Sequence, residues 1–177
     1  MSALERLNCS VLSTDAVVHE IQADPVHLAA LAERFGEGVI SDGKLDRAAL
    51  ASSAFGDEAG RQWLESYIWP LVGQRISEWV ESLDEKAQRP VAGVVEVPLL
   101  FESGMDKAFD STICVVADEG LRAERAASRG HVAVDERTAR QLSQEEKSSR
   151  ATWIVQNDGS EAELEKALSA VLAEMVV

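Results

Sequence analysis

Val91-Ala92-Gly93-Val94-Val95-Glu96-Val97-Pro98-Leu99-Leu100-Phe101-Glu102-Ser103-Gly104 is the run on which the fold turns. Its first half, Val91 to Val97, is a nearly continuous β-branched stretch, the pattern of a strand buried on both faces of a parallel sheet. Downstream, Ser111 to Ala117 is a second such run. Residues 118–129 and 135–150 read as polar helices, Trp153 to Gln156 as a last strand and Ser160 to Glu174 as an amphipathic helix. Upstream, residues 3–7 read as the end of a helix and Cys9 to Ser13 as a short strand. Helical patterning follows over Asp15–Gln22, Pro25–Phe35 and Asp46–Phe55. The segment Asp57–Leu83 has a helical period but carries Pro70, which predicts a break or kink.

Strands alternating with helices imply an α/β fold with a doubly wound parallel sheet. Ligands of such sheets sit outside the carboxyl ends of the strands. Those ends are Asp15, Glu96-Val97-Pro98, Ala117-Asp118 and Asn157-Asp158-Gly159, all polar or turn-forming. The 177 residues contain no repeat, low-complexity tract or linker, so a single domain is expected.

A formal net charge of −14 argues against nucleic acid or an anionic membrane surface as a partner. No stretch approaches the length of a membrane span, and Met1-Ser2-Ala3-Leu4-Glu5-Arg6 lacks a signal-peptide pattern, so the cytoplasm is the expected compartment. Cys9 and Cys114 read as small core residues in apolar runs, and His19, His27 and His131 have no ligand spacing, so no metal site is expected.

The basic residues are unevenly spread. Arg122, Arg125, Arg129, Arg137, Arg140, Lys147 and Arg150 make residues 122–150 net +2, against −16 for the remainder. Two readings stand: a solvated helix pair laced with ion pairs, or a cationic flap over a polyphosphate, to which the planar fork of arginine is suited. Asp15 likewise reads as a helix N-cap or as a general base taking a hydroxyl proton.

Taken in order, several segments resemble the dephospho-CoA kinase family from about Ala3 to the C-terminus. They are Asp15, Phe35-Gly36, Asp42 to Leu50, the Glu96 to Gly104 run, Phe109-Asp110, Arg125-x-x-x-Arg129, Arg137-x-x-x-Gln141, Lys147 and Asn157-Asp158-Gly159. The resemblance implies a three-layer P-loop kinase-like sheet with helices on both faces, a helical acceptor-binding region over about 22–88 and a lid over about 118–150. It implies transfer of the γ-phosphoryl of ATP, with Mg2+, to the 3′-hydroxyl of dephospho-CoA. Asp15 would be the base. Arg125, with a catalytic part, and Arg129 would contact ATP phosphates from the lid, and Asn157 with Gly159 would line the adenine pocket. Pro98, Leu99, Leu100 and the residue at Trp69 would serve the acceptor. On this reading the cationic segment is the lid.

The chain also departs from the family. The opening strand and Gly-x-x-x-x-Gly-Lys-Ser/Thr loop do not occur in the sequence, so the first, central strand is expected to be missing and transfer impaired. A start placed too late, at an internal methionine of a longer protein, accounts for that gap. Internal changes favour divergence instead: His19 for Arg, Trp69 for His, and Ser13, Thr152 and Glu96 for Asp. The alternative reading is therefore a non-catalytic relative that binds CoA or nucleotide, and a kinase of another nucleoside is the third. Oligomeric state is not encoded in any of these signals.

Overall fold

The computed structural model describes residues 1–85, 88–128 and 141–175. In chain order the first elements are α1 (Ser2–Arg6), β1 (Ser10–Ser13), α2 (Thr14–Ala23), α3 (Pro25–Phe35), β2 (Ile40–Ser41) and β3 (Lys44–Leu45). Then come α4 (Arg47–Phe55), α5 (Glu58–Asp84), β4 (Gly93–Glu96), α6 (Leu100–Ser103) and β5 (Ile113–Val116). The last are α7 (Glu119–Ser128), α8 (Gln144–Arg150), β6 (Trp153–Gln156) and α9 (Glu161–Met175). The chain divides into two compact units, Met1–Val11 with Pro90–Val177, and Leu12–Arg89.

The first unit carries the parallel-sheet architecture. β5 and β6 pair in parallel from Ile113↔Trp153 to Val116↔Gln156, and β1 pairs with β4. Val155 is buried with Ala3 and Leu4 of α1 and with Leu168 and Leu172 of α9, and Val11, Val94 and Ile113 pack against that cluster. Neighbouring residues on a strand point to opposite faces. Cys114 therefore faces away from α9, and there Ser148 of α8 donates to its Sγ at 3.6 Å. Helices thus cover both faces. No ladder joins β4 to β5 among the described residues.

The second unit is helical around a small hairpin. Val17 and Ile21 of α2 pack on Ile68 and Val72 of α5, each pair one helical turn apart, while Leu31, Val39 and Leu50 form a second cluster. Three aspartates start its helices. Asp24 accepts from the Val26 amide, Asp46 from those of Ala48 and Ala49, and Asp57 from those of Ala59 and Gly60. Asp42 and Gly43, at φ 50° and 71°, turn the β2–β3 hairpin, and two positive φ values in succession are what an Asp-Gly hairpin turn uses.

Three sequence expectations change. Of the break or kink expected at Pro70 there is no break, because α5 runs through it as one helix. The carbonyl that loses its donor belongs to Ser66, which is exposed, as is Pro70, so water can satisfy it, while Ile68 and Val72 hold the helix to its unit. The helix expected over 135–150 begins at Gln144, because Ser143 and Glu146 form a reciprocal capping box; residues 135–140 lie outside the described ones. Asp15 is not an N-cap. Ser13 holds that position without a side-chain bond, and Asp15 lies in the first turn of α2.

Candidate functional site

In the first unit the ends of β5 and β6 are held together by one carboxylate. Asp158 accepts from the Asp118 amide at 2.6 Å and from the side-chain amide of Gln156, and the Asn157 amide donates to the Val116 carbonyl at 2.8 Å. The Gln156 and Asp118 donors, with the charge of Arg125, hold the Asp158 carboxyl below the usual aspartate range. Asp118 itself starts α7, accepting from the Gly120 and Leu121 amides at 2.9 and 3.3 Å. Residues seven apart share a helix face, so Arg125 returns to the same end of the sheet. Its guanidinium donates to the carbonyls of Asn157 at 2.6 Å and Gly159 at 3.5 Å. Beyond the turn, Ser160 and Glu163 bond reciprocally and cap α9.

The loop after β4 is tied to α8. Lys147 donates to the Pro98 carbonyl at 2.9 Å and pairs with Glu102 at 3.1 Å. The same Glu102 oxygen accepts the Leu142 amide at 2.8 Å. Burial pushes the Glu102 carboxyl up, but its own amide, the Leu142 amide and the Lys147 ammonium outweigh burial and hold it below the ordinary glutamate range. Gln144 completes the attachment: its amide nitrogen donates to the Ala117 carbonyl and its oxygen accepts from the Ala117 amide, both at 3.0 Å. Gly104, at φ 73°, ends the α6 turn in the left-handed region that glycine tolerates.

Of the sequence candidates, Arg125, Asn157 and Gly159 come together in direct contact, and Pro98 is joined to α8, with Leu99 and Leu100 half-buried beside it. Asp15 and Trp69 belong to the second unit. Asp15 is exposed in the first turn of α2, where a helix N-terminus favours negative charge, and Trp69 is half-buried on α5. Arg129, Arg137, Arg140 and His131 lie outside the described residues. Thr152, where the family pattern has Asp, exchanges bonds with Thr112: each backbone amide donates to the other's hydroxyl, at 3.1 and 3.0 Å. Sequence reasoning missed Gln144, placed Lys147 only in the cationic segment and Asp158 only in a turn, and gave the Glu102 carboxylate no role. Their partners are 27 to 49 residues away or depend on a turn, and no local pattern encodes them. Among the described residues no group of three His, Cys, Asp or Glu side chains could hold a metal ion.

The sequence profile of the family described as dephospho-CoA kinase matches residues 1–163. A dephospho-CoA kinase of Deinococcus radiodurans is 36% identical over 177 residues, covering 98% of this chain and 84% of that protein. A Thermus thermophilus dephospho-CoA kinase is 38% identical over 144 residues, or 80% and 68% of the two chains. Among solved structures, a Thermus thermophilus crystal structure superposes with a TM-score of 0.80 at 34% identity, covering 98% of this chain and 88% of that one. A Campylobacter jejuni dephospho-CoA kinase superposes with a TM-score of 0.67 at 25% identity, covering 99% and 90%.

Proposed function

Because this chain belongs to the dephospho-CoA kinase family, whose reaction is the last step of coenzyme A synthesis, we propose that its strand-end site receives ATP and dephospho-CoA. The bond formed joins the ribose 3′-oxygen to the γ-phosphorus, and the bond broken is the one between that phosphorus and the β–γ bridging oxygen. The 3′-hydroxyl proton goes to Asp15, and ADP leaves. The cytoplasm is the proposed setting.

The convergence of Arg125 on the Asn157–Gly159 turn carries this reading. The adenine would lie against that turn, whose Asn157 and Gly159 carbonyls Arg125 holds in place. Arg125 fixes that turn and brings positive charge to the end of the sheet where a triphosphate would extend. Phosphoryl transfer relies on positioning and charge rather than on covalent chemistry by the protein, so a cation held at the base-binding turn suits it. Arg129 would add to that charge. Pro98, Leu99, Leu100 and Trp69 are assigned to the acceptor. Magnesium would enter with ATP and help neutralise phosphate charge. The described residues offer no carboxylate and histidine cluster for the ion, and no step is routed through it.

Titration calorimetry of the 177-residue chain with dephospho-CoA tests the reading. Saturable one-to-one binding is expected, and a folded sample that takes up no dephospho-CoA overturns it. A second reading, a relative that binds without turnover, rests on internal departures from the family pattern: Trp69 stands where that pattern has His, and His19 where it has Arg. ADP release on mixing the chain with both substrates separates the two. Turnover selects the kinase, and binding without ADP selects the binding relative.

A further inference from the structure

The contacts of α8 have a geometric consequence. This helix is fixed at two places that belong to different sheets. Gln144 grips the Ala117 backbone, immediately after β5, by two bonds of 3.0 Å. Lys147, one turn further along the same helix face, grips the Pro98 carbonyl, two residues after β4. No ladder joins β4 to β5 among the described residues, so backbone hydrogen bonding does not set the spacing of their carboxyl ends. Side chains of α8 span it instead.

Glu102 determines whether that span holds. The side chains of Lys147 and Glu102 are 21% and 13% exposed, so the pair is largely withdrawn from water. At that depth an ammonium with no counter-charge is costly, and a carboxylate without one equally so. One Glu102 oxygen takes both the Leu142 amide, just before α8, and the Lys147 ammonium. The other oxygen is buried and has no hydrogen-bond partner among the described residues. The carboxylate therefore depends on its first oxygen, and any loss at Lys147 leaves it undercompensated.

We propose that Glu102 and Lys147 are a positioning pair, which sets the Pro98-Leu99-Leu100 turn at a fixed distance from the end of β5 and so controls affinity for the acceptor substrate. The inference rests on the assignment of that turn to dephospho-CoA. Neither side chain needs to touch either substrate. Lys147 acts on the Pro98 carbonyl, and Glu102 acts by keeping Lys147 aimed at it. ATP affinity is governed at the other anchor, where Arg125 holds the turn after β6, and does not depend on the pair.

Lys147→Met tests this, because it keeps the aliphatic stem and removes the charge. Calorimetry with dephospho-CoA and with ATP, run separately on parent and variant, is expected to give a roughly tenfold weaker dephospho-CoA affinity. ATP affinity should stay within about twofold, a difference of under half a kcal/mol. Lys147→Arg, which retains the charge and a donor for Pro98, should recover most of the loss. A general defect in folding would weaken both ligands alike, and that result overturns the proposal, as does an unchanged dephospho-CoA affinity. If Lys147→Met fails to fold, Glu102→Gln takes its place, since its oxygen can still accept the Leu142 amide, and the same split is expected. Failure of the parent chain to bind dephospho-CoA would remove the acceptor assignment itself. Binding by the parent with no effect in either variant would remove only the pair's role.

Discussion

Asp15 and Thr112 show how differently two polar side chains can be committed. Asp15 is exposed in the first turn of α2, and its proposed work is on a substrate proton. Asp15→Asn should lower the rate of ADP formation by on the order of 10²–10⁴ while leaving the dephospho-CoA dissociation constant within about twofold, because a base acts in the transition state. Equal rates in the two proteins would remove the role. Thr112 is 9% exposed and works on the fold. Its hydroxyl accepts the Thr152 amide at 3.0 Å, so Thr112→Val leaves that donor without its partner at the head of the β5–β6 ladder. A loss of about 1 kcal/mol in urea denaturation is expected. Asp15 was read as a possible helix cap, whereas the side chains that cap helices in the second unit are those of Asp24, Asp46 and Asp57. Glu102 was not legible. Its partners stand 40 and 45 positions away in sequence, and its neighbours in the Pro-Leu-Leu-Phe-Glu run gave no hint that its carboxylate would be withdrawn from water.

At the scale of elements, periodicity was a good guide where packing agreed with it and a poor one where side chains decided the ends. The helices from α2 to α4 fall within one or two residues of their expected limits, and Trp153–Gln156 is the strand as read. The strands at Val91–Val97 and Ser111–Ala117 shorten to four residues each, because apolar composition continues past the point where ladder pairing stops. α5 is the clearest conflict between local and tertiary preference. A proline inside a helix removes one bond and crowds the preceding turn, at a cost near 3 kcal/mol relative to alanine in a free helix. α5 carries it on an exposed face and continues through it without a break. Pro70→Ala should therefore stabilise the protein, by about 1–2 kcal/mol after the greater flexibility of the unfolded alanine chain is subtracted. Equilibrium denaturation measures it, and a destabilised variant would mean that the proline geometry itself is needed. At α8 the opposite holds. Ser143→Ala removes the cap that starts the helix and should cost about 1 kcal/mol.

At the scale of the molecule, alternating strands and helices were enough to read a parallel α/β fold, since only a parallel sheet needs a helix at each crossover. No ladder joins β4 to β5 among the described residues, and no periodicity in the sequence bears on how that gap is held. The means of spanning it, by α8, is a matter of side-chain geometry. That span has a measurable dependence on pH. The Glu102 carboxyl is held below its ordinary range in the folded protein, so the folded state binds its proton less readily than the unfolded state does. Its contribution to stability is accordingly complete above the unfolded value, near 4.3, and is lost as the pH falls through the lower, folded value. The charged group facing it is Lys147, whose ammonium lies 3.1 Å from the carboxylate. In Glu102→Gln the group cannot titrate. The variant should be less stable than the parent at pH 7, and the gap between the two should narrow steadily as the pH is lowered from about 4. Stability measured by urea titration at several pH values gives both curves. A gap that stays constant down to about pH 2 would mean that Glu102 holds Lys147 and Leu142 by shape alone, and the electrostatic part of the α8 span would have to be given up.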